Sequence, residues 1–136
     1  MEKLKISIFE NEFNSVKGAF DASKVLSFDS KLDYKVYPSS QLANFDDINK
    51  EDVIFIDIDL SQNSELDGFS LISKLKEIDI KILNKIVILT GNNKIIESLN
   101  NKGINFHKKQ IIIKPTDYEI ITESINYIIG LKKTKN

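Results

Sequence analysis

The segment Val53-Ile54-Phe55-Ile56-Asp57-Ile58-Asp59-Leu60 is apolar without alternation until it ends on carboxylates. A strand with one wet face alternates apolar and polar residues, so an unbroken apolar run needs cover on both faces. That points to a parallel sheet with helices above and below. Lys85-Ile86-Val87-Ile88-Leu89-Thr90 and Ile111-Ile112-Ile113-Lys114-Pro115 have the same character, and Leu4-Lys5-Ile6-Ser7-Ile8-Phe9 empties into Glu10-Asn11-Glu12. With a further run at 33–37, the pattern predicts strands at 4–9, 33–37, 53–58, 85–90 and 110–113.

Helical signals fall between these runs, which predicts βαβ units and a (βα)₅ domain. Phe13, Val16, Phe20 and Val25 mark a first helix. Leu71, Ile72, Leu75 and Ile78 mark a third, and Ile95, Ile96 and Leu99 a short fourth. Thr116-Asp117-Tyr118-Glu119 has a capping-box pattern opening the last helix, whose inner face carries Ile121, Ile125 and Ile128. The second helix has the weakest signal. Pro38-Ser39-Ser40 offers a start, while Phe45-Asp46-Asp47-Ile48-Asn49 reads as loop. Residues 1–131 are expected to form a single domain with no output module, and 132–136 a polar tail.

The length of 136 residues suits one domain with a sizeable core. A net charge of −1 argues against nucleic acid or an anionic membrane as an electrostatic partner. All 19 basic residues are lysine, so a guanidinium clamp from this chain is excluded. Without cysteine there is no disulfide, thiol nucleophile or thiolate metal site. No run approaches the roughly 20 apolar residues of a membrane span, so a cytoplasmic protein without membrane insertion is expected.

In an open parallel sheet, ligands bind outside the carboxyl ends of the strands. Here those ends carry an acidic cluster at 10–12, a carboxylate at Asp57, a hydroxyl at Thr90 and an ammonium at Lys114. Each has an ordinary alternative. Asp57 and Thr90 are also helix-capping types, and Lys114 also reads as a surface lysine. Asp59 reads equally as a solvated loop carboxylate, and lone His107 beside Lys108-Lys109 as a solvated loop residue. The conjunction suits an anionic group together with a hard cation.

With these motifs in place, the chain resembles the receiver domain of two-component response regulators across essentially its full length. The resemblance implies a flavodoxin-like, doubly wound sheet of order 2-1-3-4-5. It makes Asp57 the phosphoacceptor, Thr90 the switch hydroxyl and Lys114 the lysine after strand five, with a cis Lys114-Pro115 bond. It also implies Mg²⁺ held by Glu10, Asn11, Asp57 and the Asp59 backbone carbonyl. Leu66-Asp67-Gly68-Phe69 looks like the family's turn before the third helix, and Gly91 like its small residue after the hydroxyl. The implied partners are a histidine kinase or phosphotransfer protein and a downstream protein. The implied chemistry is at most self-phosphorylation and self-dephosphorylation, not dedicated enzymatic turnover.

Several positions depart from the family pattern. Asn11 stands where an Asp is usual, which implies weaker metal binding, with Glu12 as a nearby substitute. Ser61 replaces the usual proline, the loop Gln62-Asn63-Ser64-Glu65 is about three residues longer, and Ile111 replaces the rotating aromatic. One competing reading is a receiver-like interaction module that takes no phosphate. Another is a haloacid-dehalogenase-type phosphatase using Asp57 and Asp59, although that family carries its Asp-x-Asp on the opening strand. A flavin-binding domain of similar fold lacks its phosphate loop here.

Overall fold

A computed structural model describes residues 3–60 and 63–134, excepting the side chains of 132–134. Five parallel strands, β1 (Leu4–Phe9), β2 (Leu32–Tyr37), β3 (Val53–Asp57), β4 (Ile86–Thr90) and β5 (Ile111–Ile113), form one sheet in the order 2-1-3-4-5. This is the order the resemblance implies. The helices are α1 (Lys17–Ser27), α2 (Phe45–Ile48), α3 (Gly68–Ile78), α4 (Ile95–Asn101) and α5 (Tyr118–Thr134).

The unbroken apolarity of β3 and β4 has its cause in two cores. Val53, Phe55, Val87 and Leu89 point to one face, where Val16, Phe20, Ile121, Ile125 and Ile128 cover them. Ile54, Ile56, Ile86 and Ile88 point to the other, under Ile48, Leu71, Ile72, Leu75, Ile95 and Leu99. The edge strand β2 instead alternates, with Asp33 and Lys35 exposed between more protected neighbours, as a strand wet on one side should.

Several sequence expectations shift. The first helix begins as a 3₁₀ turn at Phe13–Ser15 before α1 proper. Val25 is 60% exposed, and Ser23 takes the inward position that periodicity assigned to an apolar residue. Ser23 Oγ is 2.7 Å from Thr122 Oγ1, a polar bridge from α1 to α5. Ile78 and Ile96 also face outward. The stretch read as loop at Phe45–Ile48 is the second helix, because Asn44 accepts the Asp46 N–H and caps it. Asp117, not Thr116, caps α5, accepting the Ile120 N–H at 3.0 Å. That helix runs to Thr134, three residues into the segment expected to be tail. Ser61 and Gln62 lie outside the described residues, as do Lys135 and Asn136.

His107 is exposed but structured: its Nδ1 accepts the Lys109 N–H and its ring stacks on Tyr127 with centroids 4.4 Å apart. No helix among the described residues is long and apolar enough to cross a membrane.

Gly68 opens α3 against the end of β3. An added Cβ would run into Ile58 Cα and lie 2.6 Å from the Asp57 carbonyl oxygen, both backbone atoms that cannot swing away. Gly68→Ala is therefore expected to destabilise by about 1–3 kcal/mol. Gly130→Ala, where a Cβ meets nothing within 4 Å, is expected to stabilise by up to about 1 kcal/mol through helix propensity. Urea denaturation of both variants checks this, and effects of the same sign would contradict the close-approach account.

Candidate functional site

Strand register assembles the site. Phe9 pairs with Ile56, so Glu10 leaves β1 beside Asp57 at the end of β3. Asp57 pairs with Leu89, and Thr90 with Ile113, so Thr90 and Lys114 arrive one step further along. Backbone bonds continue the ladder past the strand ends: Ile58 N–H donates to Leu89 O at 3.0 Å, and Lys114 N–H to Thr90 O at 2.7 Å. The Lys114–Pro115 peptide is cis, as the resemblance implies.

Glu10 and Asp57 are 1% and 2% exposed, and they share one cation. Lys114 Nζ lies 2.6 Å from Glu10 Oε1 and 3.3 Å from Asp57 Oδ2. The other Asp57 oxygen, Oδ1, accepts the Asp59 N–H at 2.9 Å. Burial, then the adjacent Asp57 carboxylate, pushes the Glu10 carboxyl from an ordinary 4.5 up to about 7, against the opposing pull of Lys114. For Lys114, burial acts downward, but the hydrogen bond to Glu10 and the charges of Asp57 and Glu10 prevail and raise it.

Thr90 is fully buried. Its Oγ1 accepts the Asn92 N–H at 3.0 Å, and Asn92 Oδ1 in turn accepts the Lys94 N–H at 2.9 Å. The hydroxyl is thus tied to the approach to α4 through Asn92, a residue that sequence reasoning passed over. Its signal is the Thr-Gly-Asn pattern of a side chain capping its own backbone two residues on. Asn11 and Glu12 are exposed and line an open groove beside Glu10 with Phe13, Asn14 and Pro38. The Asp59 side chain is also exposed. The structure therefore brings Glu10, Asp57 and Lys114 into direct contact and places Asn11 and Asp59 at the margin.

Among the described residues, no group of three or more His, Cys, Asp or Glu side chains gathers as a metal site. The donors at hand are nevertheless all hard oxygens, and the two carboxylates face a single ammonium. Mg²⁺ is ordinarily held by one or two carboxylates and several waters, so this set fits it. Glu10 and Asp57 would be its charged ligands, with the Asn11 side-chain oxygen and the Asp59 carbonyl as neutral ones.

The fold matches a response regulator receiver domain protein from Clostridium thermocellum, with a TM-score of 0.71 and 22% identity over 98% of this chain and 99% of that one. This is the fold of a response regulator receiver domain. A receiver domain protein from Methanospirillum hungatei matches over 99% of this chain and 100% of its own, at 16% identity and a TM-score of 0.68. The response regulator DrrB of Thermotoga maritima matches 96% of this chain with 54% of its own length, at 15% identity and a TM-score of 0.65. No family model matches the chain. At these identities the likeness establishes the receiver fold alone.

Folded Glu10 keeps its proton up to about pH 7, whereas the unfolded chain releases it near 4.5. The stability this group contributes is therefore complete below about 4.5 and lost as pH rises through about 7. Metal-free wild type is expected to show that loss between denaturation midpoints at about pH 5 and about pH 8, and Glu10→Gln to flatten it. An identical pH slope in the variant would show that Glu10 is not the titrating group.

Proposed function

We propose that this chain is a phosphoacceptor receiver domain. It would take a phosphoryl group onto Asp57 from a histidine kinase or phosphotransfer protein, in the cytoplasm, and signal by binding a protein partner. The observation that carries this reading is the triad of Glu10, Asp57 and Lys114, two buried carboxylates and one ammonium delivered by three strand ends.

Phosphoryl transfer is governed by positioning and charge neutralisation. An Asp57 carboxylate oxygen would attack phosphorus as the bond from phosphorus to the donor's nitrogen or oxygen breaks, leaving an aspartyl phosphate and the freed donor. Bound Mg²⁺ would supply positive charge to offset that of the phosphoryl oxygens. Lys114, now drawn mainly to Glu10, carries a raised affinity for its proton and so stays a cation that can neutralise another oxygen. The bond from Asn92 to Thr90 uses a lone pair of the hydroxyl, not its proton. Thr90 can therefore donate to a phosphoryl oxygen and carry the change toward α4.

Ile96, Ile113 and Ile120 are exposed apolar residues on α4, β5 and α5, the elements that follow Thr90 and flank Lys114. They supply the surface for a downstream protein partner.

A second reading is an interaction module that takes no phosphate. Asn11 brings no charge, and Lys114 already neutralises part of the acidic pair. The phosphatase reading is weaker, since Asp57 ends the third strand and not the opening one. Incubation with acetyl phosphate and Mg²⁺ should add one acid-labile phosphoryl mass to the wild type and none to Asp57→Asn. No added mass at saturating donor and metal would favour the interaction module.

A further inference from the structure

The chain between Asp57 and α3 is closed on itself at the phosphoacceptor. It leaves with the Asp59 N–H bonded to Asp57 Oδ1 at 2.9 Å, and it returns with the Gly68 N–H bonded to Ile58 O at 3.2 Å. Its far part is gripped from outside by the segment after β2. Gln41 Nε2 donates to Asn63 O at 2.7 Å, while Gln41 Oε1 accepts the Glu65 N–H at 2.9 Å. Ser40 Oγ accepts the Leu66 N–H at 2.9 Å. The Ser40 N–H donates to Ser64 Oγ at 2.8 Å, and that hydroxyl donates to Leu66 O at 2.6 Å.

Three side chains thus hold four backbone groups between residues 63 and 66. Water would satisfy the polar groups of exposed Asn63 and Glu65 without fixing Gln41, whose ordering costs rotamer entropy. Ser40 is 1% exposed, so its part of the clamp is built into the molecule, while Gln41 holds the loop from the surface.

A carboxylate turns easily about its terminal torsion, so the Asp57 orientation depends on what each oxygen meets. Lys114 faces Oδ2, and the loop supplies the N–H on Oδ1. We propose that Ser40, Gln41 and Ser64 are positioning residues for phosphoryl transfer. By pinning the loop they keep the Asp59 N–H on Asp57 and hold the carboxylate ready to attack. This rests on the phosphoacceptor reading and adds to it.

The test compares the full-length wild type with Gln41→Ala, Ser64→Ala and Ser64→Thr, the last retaining the hydroxyl. Two readouts are taken: amide hydrogen exchange at Asp59, and the initial rate of phosphoryl uptake from acetyl phosphate with Mg²⁺. Both alanine variants are expected to exchange faster at Asp59 and to take up phosphoryl groups roughly three- to tenfold more slowly, the scale of one lost hydrogen bond. Ser64→Thr should stay close to wild type in both. Gln41 is exposed, so its variant preserves the test if Ser64→Ala folds poorly. Uptake at the wild-type rate in Gln41→Ala, or unchanged exchange at Asp59, overturns the proposal. If the wild type itself takes up nothing, the phosphoacceptor reading fails first and the positioning role fails with it.

Discussion

Two carboxylates buried side by side around one ammonium are the constraint on which this molecule's chemistry depends. Each contact of Lys114 with Glu10 or Asp57 is worth on the order of 5 kcal/mol of Coulomb attraction at an effective dielectric near 20. Removing three charged groups from water costs a comparable amount. Such a cluster persists because the surrounding structure imposes it. The register of four parallel strands sets Glu10, Asp57, Thr90 and Lys114 on one line of strand ends. The two cores then hold that register against slippage, since a shift by one residue would exchange the side chains of the two faces. The upward displacement of Glu10 to about 7 is the residual cost of this arrangement. Burial is its largest cause, with the neighbouring Asp57 carboxylate next.

Much of the fold was legible because the physical cause of its pattern is local. A strand covered on both faces reads as apolar throughout, and three of the five strands, β3, β4 and β5, carry that signature directly. Helix faces were legible only where the core sets every position. Leu71, Ile72 and Leu75 are fully buried as their spacing predicts, whereas Val25 and Ile96 fit the same period and face outward. Periodicity identifies a face without fixing its width. The buried hydroxyl of Ser23 shows that an inward position can be polar when a partner such as Thr122 stands opposite.

At the site, Asp57, Thr90 and Lys114 were legible because each directly follows an apolar run, and Glu10 because it opens the acidic cluster. The direct Glu10–Lys114 contact was not, since 104 residues separate the partners and only strand order joins them. The Ser40, Gln41 and Ser64 clamp is harder still to read. Serine and glutamine are ordinary loop residues, and nothing in their spacing announces a partner more than 20 residues away. Asn11 and Asp59, legible as metal-ligand candidates by position, stand exposed at the rim in this conformation.

As a phosphoacceptor this cluster would be a switch, biased by a phosphoryl group through differential contacts with Thr90 and Lys114. NMR of the labelled protein on adding Mg²⁺ and beryllofluoride, which mimics a phosphoryl group, tests it most directly. Shift changes should extend from the pocket through residues 90–103 and 110–120, and Thr90→Ala should shrink that spread while still binding the mimic. Changes confined to the residues touching Asp57, or none at all, would contradict the account.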